Sequence, residues 1–219
     1  MRENICTLPV VDIFSEVDGC PLCRMKEKLN ERITDYILGP AMMEPDIRIA
    51  TNKEGFCEKH LNSLLEKDNK LQFALILESH LEEFSKVLKT KDAKKINSAV
   101  NECFICNKIN WGYTRMLKTI MLSYENDSSF RKMFESQEYF CPSHAADLIE
   151  NANKKTMKSY HKDFTNFIIA KSLENLSYIK ENIIGFKNLF DYRSSYDKEK
   201  ENLYKNAAKL AVDFLKDKK

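Results

Sequence analysis

Apolar residues recur every three or four positions over several long stretches of the chain, which is the spacing of amphipathic helices. The first stretch is rich in good helix formers and ends at Gly39-Pro40, a pair that stops a helix. Its apolar positions fall on one face, at Leu29, Ile33, Tyr36 and Ile37. The pattern therefore predicts a helix from Arg24 to Leu38.

The same period continues through most of the remaining sequence. Further helices are predicted over 61–88, 108–124, 145–190 and 198–216, with interruptions of the long third stretch at 151–155 and near Gly185. Two intervening segments lack the pattern: Asp46 to Ala50 is predicted to be a brief strand, and 90–101 a short link. The fold class is accordingly mainly α.

Composition agrees with a folded helical protein. Hydrophobic residues make up 43% of the 219 positions, and the chain has only 5 Gly and 5 Pro, too few for a disordered chain or for many short strands. The 35 basic residues nearly balance the 33 acidic ones, so a nucleic-acid partner is not favoured. Because no apolar run approaches the roughly 18 residues of a membrane span, and the N-terminus lacks a signal-peptide core, we expect a cytoplasmic protein.

Six of the seven cysteines and two of the four histidines form an ordered pattern. The first set is Cys20, Cys23, Cys57 and His60; the second set is Cys103, Cys106, Cys141 and His144. Each set consists of a Cys-x-x-Cys pair followed, after 33 or 34 residues, by a Cys-x-x-His pair. Corresponding members lie 83 or 84 residues apart, so the spacing indicates an internal duplication.

Neighbouring residues support the same alignment. Phe56 and Phe140 precede the third cysteine of each set, and Glu54 and Glu138 lie three residues before it. The sequence thus predicts two tandem, pseudo-equivalent helical repeats at 1–92 and 93–192, each organised around its own Cys3His metal site. Residues 193–219 are predicted to form a C-terminal amphipathic helix.

Three thiolates and one imidazole form a common tetrahedral zinc shell, and two-residue gaps within each pair are usual for it. Both kinds of pair fall where a helix begins, and there free backbone N–H groups favour the thiolate. Pro21 and Pro142 suit a first helical position. The sequence therefore predicts two Zn2+ ions per chain, and an iron–sulfur cluster with one histidine ligand is the alternative.

Catalytic patterns do not emerge from the sequence. With four protein ligands per site, each shell is closed, whereas a catalytic zinc keeps a position open for water or substrate. No phosphate-binding glycine loop or nucleophile elbow occurs, and Glu54 and Glu138 suit a supporting role beside the ligands better than that of a general base. His80, His161 and Cys6 are interpreted as ordinary structural residues.

The motifs resemble those of an uncharacterised family of bacterial proteins of this length, classed as a domain of unknown function. The resemblance is carried by Cys20-Pro-Leu-Cys23 with Gly55-Phe56-Cys57, and by Cys103-x-x-Cys106 with Tyr139-Phe140-Cys141. It covers most of the chain. It implies a bacterial cytosolic protein and agrees with the duplication, but it implies no established activity.

Three functions remain open from the sequence. The favoured one is a non-enzymatic, zinc-stabilised helical protein that binds or regulates another protein, with a homo-oligomer left open. A thiol or metal redox sensor, or an iron–sulfur protein, is the first alternative, because thiolates near helix N-termini can be oxidised. A zinc protein associated with nucleic acid is the second, and the near-neutral charge argues against it.

Overall fold

A computed structural model describes residues 8–152, 156–191, 193 and 198–215, and within these ranges every regular element is a helix. The first half contains α1 (Leu8–Phe14), α2 (Pro21–Leu38), α3 (Pro45–Glu54), α4 (Glu58–Glu66), α5 (Lys70–Lys89) and α6 (Ala93–Asn101). The second half contains α7 (Phe104–Asn126), α8 (Ser128–Glu135), α9 (Pro142–Asn151), α10 (His161–Asn188), α11 (Glu201–Lys205) and α12 (Ala207–Leu215). Short 3-10 turns occupy Pro40–Met43 and Lys198–Lys200. The predicted mainly α class is confirmed.

The helices form two compact units, and the sequence of one unit is inserted into that of the other. The continuous unit is Lys26–Thr114, and the discontinuous unit combines the described residues up to Met25 with those from Arg115 onward. These bounds differ from the predicted repeats at 1–92 and 93–192, which describe a duplication in sequence and stay a prediction.

An aromatic cluster forms the core of the discontinuous unit. Phe134 lies at its centre and is fully buried. Its ring stacks on Phe140 at a centroid distance of 4.9 Å and meets Tyr124 edge-on at 5.2 Å. Further rings within 5.4 Å of Phe134 belong to Phe14 and Phe164. These contacts connect α1, α7, α8 and α10 around the start of α9.

The core of the continuous unit surrounds two cysteine-bearing turns. Its buried members come from α2, α4, α5, α7 and the turn before α4: Ile37, Leu38, Phe56, Leu64, Phe73, Ile76, Cys103, Phe104 and Ile105. Because Phe56 and Phe104 directly adjoin cysteines, the packing of this core fixes where those cysteines lie.

The predicted strand at Asp46 to Ala50 is wrong, because these residues belong to helix α3. Pro45 occupies a first helical position and Asp46 lies in the first turn, where its charge complements the helix dipole. Gly55 ends the helix with a φ of 62°. Helix α3 packs on α5, and Arg48 reinforces the contact by donating a 2.8 Å hydrogen bond to the carbonyl oxygen of Leu75.

Three other local predictions need correction. The predicted link at 90–101 contains helix α6, whose first turn is capped by Asp92 accepting from the backbone N–H groups of Lys94 and Lys95. The stretch 61–88 divides into α4 and α5 between Glu66 and Lys70. The third correction is that α10 runs through Gly185 without a break, whereas the predicted interruption after Asn151 is present.

The C-terminal segment packs on α10 as two short helices rather than one. Gly185 allows the close approach, because a Cβ atom there would lie 2.7 Å from Cζ of Tyr204 in α11. Phe214 of α12 is buried and meets Tyr139 with a ring-centroid distance of 5.7 Å. The C-terminal helices are therefore part of the discontinuous unit. Residues 216–219, the end of the predicted final helix, lie outside the described residues.

A helix that crosses a membrane has to be both long and apolar. Among the described residues, no helix combines the length and the apolar content that a bilayer span requires.

Candidate metal centres

The first cluster, here called the Cys20 site, lies in the discontinuous unit. It consists of Cys20, Cys23, Cys141 and His144. Nδ1 of His144 lies 3.6 Å, 3.4 Å and 3.0 Å from the sulfur atoms of Cys20, Cys23 and Cys141 respectively. The Sγ atoms of Cys23 and Cys141 are 3.8 Å apart.

The second cluster, the Cys57 site, lies in the continuous unit. It consists of Cys57, His60, Cys103 and Cys106. Nδ1 of His60 lies 3.2 Å, 3.3 Å and 3.4 Å from the sulfur atoms of Cys57, Cys103 and Cys106 respectively. Cys57 and Cys106 bring their Sγ atoms to 3.9 Å. All eight residues predicted as ligands therefore fall into one of two Cys3His groups.

The composition of the groups corrects the predicted pairing. Each Cys-x-x-Cys pair was expected to meet the next Cys-x-x-His pair along the chain, but the first Cys-x-x-Cys meets the last Cys-x-x-His, and the two inner pairs meet each other. Helix α2 is the physical reason. From Cys23 to its last residue, Leu38, the helix advances 15 residues, a rise of about 22 Å. At its far end, α3 delivers Cys57 to the start of α7, where Phe104 N–H donates a 3.0 Å bond to the carbonyl of Gly55.

Local geometry is the same at all four pairs, because each opens a helix. Cys57 and Cys141 are the N-cap residues of α4 and α9, with extended backbones at ψ of 163° and 156°. The carbonyls of Cys57, Cys103 and Cys141 each accept from the backbone N–H four residues later. Pro21 and Pro142 begin α2 and α9, as predicted. Both ligands of a pair thus face one point from the first turn.

The distances agree with one tetrahedral ion in each group. With metal–sulfur bonds of about 2.3 Å and metal–nitrogen bonds of about 2.05 Å, a tetrahedron separates two sulfurs by about 3.8 Å and sulfur from nitrogen by about 3.5 Å. The sulfur pairs measure 3.8 and 3.9 Å, and the sulfur–nitrogen pairs range from 3.0 to 3.6 Å. Both groups are therefore able to hold a metal ion through four protein atoms.

The electrostatics of the clusters also favour a cation. Hydrogen bonding with Cys141 and Cys20, together with burial, raises the pKa of Cys23, whereas the bonds from Cys20 and Cys23 lower the pKa of Cys141. Burial and the neighbouring Cys103 thiol raise the pKa of Cys106 to about 12. Without a cation, three thiols this close cannot all ionise. A divalent ion offsets two of the three negative charges and releases the protons.

The two histidines differ in their surroundings. Burial lowers the pKa of His60, and the charge of Lys59 lowers it further. Burial also acts to lower the pKa of His144, but contact with the Cys141 sulfur outweighs burial and raises it to about 9. On metal binding the His144 ring has to lose a proton, whereas the His60 ring is already neutral at pH 7.

Asn30 in α2 orients the ligand ring of the Cys57 site. Its Oδ1 lies 3.0 Å from Nε2 of His60, and with Nε2–H as donor the Nδ1 lone pair is free to point at the three sulfurs. Sequence reasoning missed Asn30, because it lies in mid-helix, 27 residues from the nearest ligand of its own site, and no local pattern marks it.

The recurring glutamates support the cysteine-bearing turns. Glu138 accepts a 2.7 Å hydrogen bond from the backbone N–H of Gly19, which directly precedes Cys20 and has a φ of 64°. Glu54 accepts a 2.8 Å bond from Nδ2 of Asn107, which follows Cys106. In both sites the glutamate before one ligand pair thus holds the turn that carries the other. The predicted supporting role is confirmed for Glu138 as a backbone acceptor.

Arg24 holds together the segment that leads into the Cys20 site. Its guanidinium donates to the carbonyl oxygens of Ile13 and Glu16 at 3.2 and 2.7 Å, and to Oε1 of Gln137 at 2.9 Å. Gln137 is fully buried and donates in turn to the carbonyl of Phe14 at 2.9 Å. This network connects α1, the turn before Cys20 and the segment before Cys141, so the two halves of the site share one polar support.

The remaining histidines stay outside both groups, as expected. Nδ1 of His80 lies 3.0 Å from the carbonyl oxygen of Asn52, and Nε2 of His161 lies 3.1 Å from that of Ala152. Both therefore donate to backbone within a helix-packing contact. Cys6 lies outside the described residues.

Comparison with known proteins identifies the family of this chain but no activity. The model of a family of unknown function, DUF6062, matches residues 1–219, the whole of the chain. The chain belongs to this DUF6062 family. No curated protein and no solved structure matches the chain. Membership in the family therefore comes without an assigned activity, and function has to be argued from the two Cys3His groups.

Proposed function

We propose that the chain binds two Zn2+ ions, one in each Cys3His group, and acts as a non-enzymatic helical protein that recognises another protein in the cytoplasm. The observation that carries the proposal is the closure of both shells by four protein atoms at tetrahedral spacing. Each ion then joins the first turns of two helices that are distant in sequence. Metal binding would supply folding free energy, as in other small metal-stabilised domains.

The spacing of the ligand atoms favours a single ion over an iron–sulfur cluster. A cluster places its ligands on different iron atoms and needs wider separation than four atoms around one ion. In both groups all ligand atoms lie within 4.8 Å of one another. Three sulfurs and one nitrogen around one ion are a common donor set for zinc.

A closed shell argues against catalysis at the metal. Catalytic zinc sites keep a coordination position for water or substrate, and here four protein atoms occupy the tetrahedron. The glutamates nearest the ligands are engaged with Gly19 and Asn107. Neither is therefore poised as a general base beside the metal.

A protein partner is supported more than a nucleic acid by the character of the surface. The net charge is +2, which gives little electrostatic attraction to phosphates. On α5, Leu71, Leu81 and Leu88 are exposed by 70%, 62% and 48%. These exposed leucines offer apolar side chains that a protein partner would cover.

Metal analysis of tag-free protein tests the proposal, with an absorption spectrum of the same anaerobic sample. We expect two zinc ions per chain, no visible absorbance, and loss of helical circular dichroism when a strong chelator removes the metal. Iron with a visible absorption band would overturn the zinc assignment. Helicity that survives complete metal removal would overturn the structural role.

The partner is tested by comparing affinity captures of the intact zinc-loaded chain with those of a Cys57→Ser, Cys141→Ser double variant. A protein retained only by the intact chain, and then shown to bind it in purified form, is the expected result. Salt-dependent binding to DNA or RNA would instead favour the nucleic-acid alternative. Self-association in analytical ultracentrifugation would make a second copy the partner.

A further inference from the structure

The two Cys3His groups differ in their access to solvent. In the Cys20 site all three cysteines and His144 are buried, with exposures of 1–9%. In the Cys57 site, His60 and Cys103 are buried, whereas Cys57 and Cys106 are partly exposed. Solvent therefore reaches two cysteine residues of the Cys57 site, whereas those of the Cys20 site are buried.

The C-terminal helix α12 covers the Cys20 site and contributes to the burial of its ligands. Tyr139 lies two residues before Cys141, and its hydroxyl oxygen is 3.7 Å from where a Cβ on Gly19, the residue before Cys20, would stand. Phe214 of α12 packs against the Tyr139 ring. Aromatic rings and a helix thus separate these sulfurs from water.

In the Cys57 site, by contrast, exposed polar and charged residues follow the two partly exposed cysteines. Cys57 is followed by exposed Glu58 and Lys59, and Cys106 by exposed Asn107 and Lys108. Each of these two cysteines thus has an exposed lysine two residues after it, Lys59 and Lys108 respectively. Partial exposure next to positive charge is the setting in which thiolates react with oxidants and electrophiles.

Cys57 and Cys106 are also close enough to react with each other. Their Sγ atoms are 3.9 Å apart; Cys57 is the N-cap residue of α4, and Cys106 lies in the first turn of α7. A disulfide requires the sulfurs to approach to about 2.05 Å, a displacement of about 2 Å shared by two side chains at the surface.

We propose that Cys57 and Cys106 form an oxidation site for hydroperoxides, through which the Cys57 site releases its metal while the Cys20 site retains its own. The proposal rests on zinc binding as proposed above. It assigns different tasks to the two groups: one holds the fold, and the other responds to oxidant.

The chemistry consumes one hydroperoxide per site. One thiolate attacks a peroxide oxygen, the O–O bond breaks, and the sulfur becomes a sulfenic acid while the leaving alkoxide or hydroxide takes up a proton. The second thiolate then attacks that sulfur, the S–O bond breaks, and hydroxide leaves as the disulfide forms. Two electrons have passed from the two sulfurs to the peroxide. The metal keeps only Cys103 and His60 as ligands and dissociates.

Oxidation of the zinc-loaded chain tests the proposal. Protein first shown to hold two zinc ions is treated with hydrogen peroxide, zinc release is followed with a chromogenic chelator, and disulfides are mapped by mass spectrometry. We expect one of the two zinc ions to be released, a Cys57–Cys106 disulfide to form, and a dithiol reductant to restore zinc binding. Release of both ions or of neither, or earlier oxidation of the buried cysteines, would overturn the proposal.

Two matched variants assign the released ion. Cys141→Ser should keep zinc only in the Cys57 site and lose it to peroxide, whereas Cys57→Ser should keep zinc only in the Cys20 site and resist. The opposite ranking contradicts the proposal. If either variant does not fold, alkylation rates of the zinc-loaded wild-type chain give the answer: Cys57 and Cys106 should react several-fold faster than Cys20, Cys23 and Cys141, and equal rates count against it. A chain that holds no zinc at the outset contradicts the proposed function instead.

Discussion

Cys23 and Cys141 bring their sulfur atoms to 3.8 Å although 118 residues separate them along the chain. The contact joins the start of α2 to the start of α9. Along the chain, all residues of the continuous unit lie between these two ligands. The Cys57 site closes the shorter interval from Cys57 to Cys106, 49 residues. A metal in the Cys20 site therefore restricts a longer loop of the unfolded chain, although the entropic advantage grows only logarithmically with loop length.

Asn30 allows the two sites to be perturbed separately. Asn30→Ala removes the acceptor of the His60 Nε2–H bond, so we expect zinc affinity of the Cys57 site to fall by about 10–100-fold while the Cys20 site is unchanged. Competition with chelators of graded affinity measures both. Asn110→Ala, an exposed position in α7, is the control and should leave both affinities unaltered. An equal loss at both sites would show that Asn30 acts on general stability instead.

Gly185 tests how the C-terminal helices protect the Cys20 site. In an exposed helix, Gly→Ala stabilises by about 1 kcal/mol, but here the added Cβ meets the Tyr204 ring and forces α11 away from α10. We therefore expect Gly185→Ala to lower the free energy of unfolding and to speed zinc loss from the Cys20 site. Urea unfolding and chelator kinetics measure the two effects.

Removing the Tyr204 ring tests whether its collision with the new Cβ at position 185 causes the loss of stability. Tyr204→Ala combined with Gly185→Ala should recover stability relative to the sum of the single variants, because the colliding ring is gone. Additive effects of the two substitutions would mean that the contact between α10 and α11 is not the cause.

Asp127 provides a test of local helix initiation next to the aromatic core. Its Oδ1 accepts from the backbone N–H groups of Ser129 and Phe130 at 2.8 and 3.2 Å, and it thereby caps α8. Asp127→Ala should cost about 1 kcal/mol of unfolding free energy, measured by urea titration of zinc-loaded protein at neutral pH. Asp127→Asn retains a capping oxygen and should cost much less. Equal losses for the two variants would show that charge, not capping, is what matters.

The sequence was sufficient for the identity of the ligands but not for their pairing. Residue types and two-residue gaps marked Cys20, Cys57, Cys103 and Cys141 as openings of helices, and all four open helices in the structure. Spacing alone does not distinguish a pair that meets its neighbour from one that meets the distant pair, because any two helix N-termini can share an ion. The length of α2 decided the matter, since it moves the chain away from Cys23 before Cys57 is reached.

Other differences arise where tertiary packing outweighs local signals. Polar and apolar residues alternate from Asp46 to Ile49, which is a strand-like pattern, and the helix there depends on the Pro45 start and on packing against α5. Gly185 is a weak helix former, but α10 continues through it because only glycine leaves room for Tyr204. Both sets of contacts connect elements that are distant in sequence, so no local window contains the information.

The exchanged arrangement also bears on the predicted duplication. Each site combines the Cys-x-x-Cys of one predicted repeat with the Cys-x-x-His of the other. Two copies of a repeat that exchange their ends, as in domain swapping, give this pattern of sites. The duplication remains a prediction from spacing, and exchange between repeats is the form of it that accommodates both groups.

Zinc content of two double variants tests whether the first Cys-x-x-Cys pair shares its metal ion with the last Cys-x-x-His pair. Cys20→Ala with Cys141→Ala removes two ligands from one site, so we expect one zinc ion per chain, the same as for either single variant. Cys20→Ala with Cys57→Ala removes one ligand from each site, and the prediction is little or no bound zinc. The reverse result, one ion in the Cys20/Cys57 variant and none in the Cys20/Cys141 variant, would contradict the exchanged pairing.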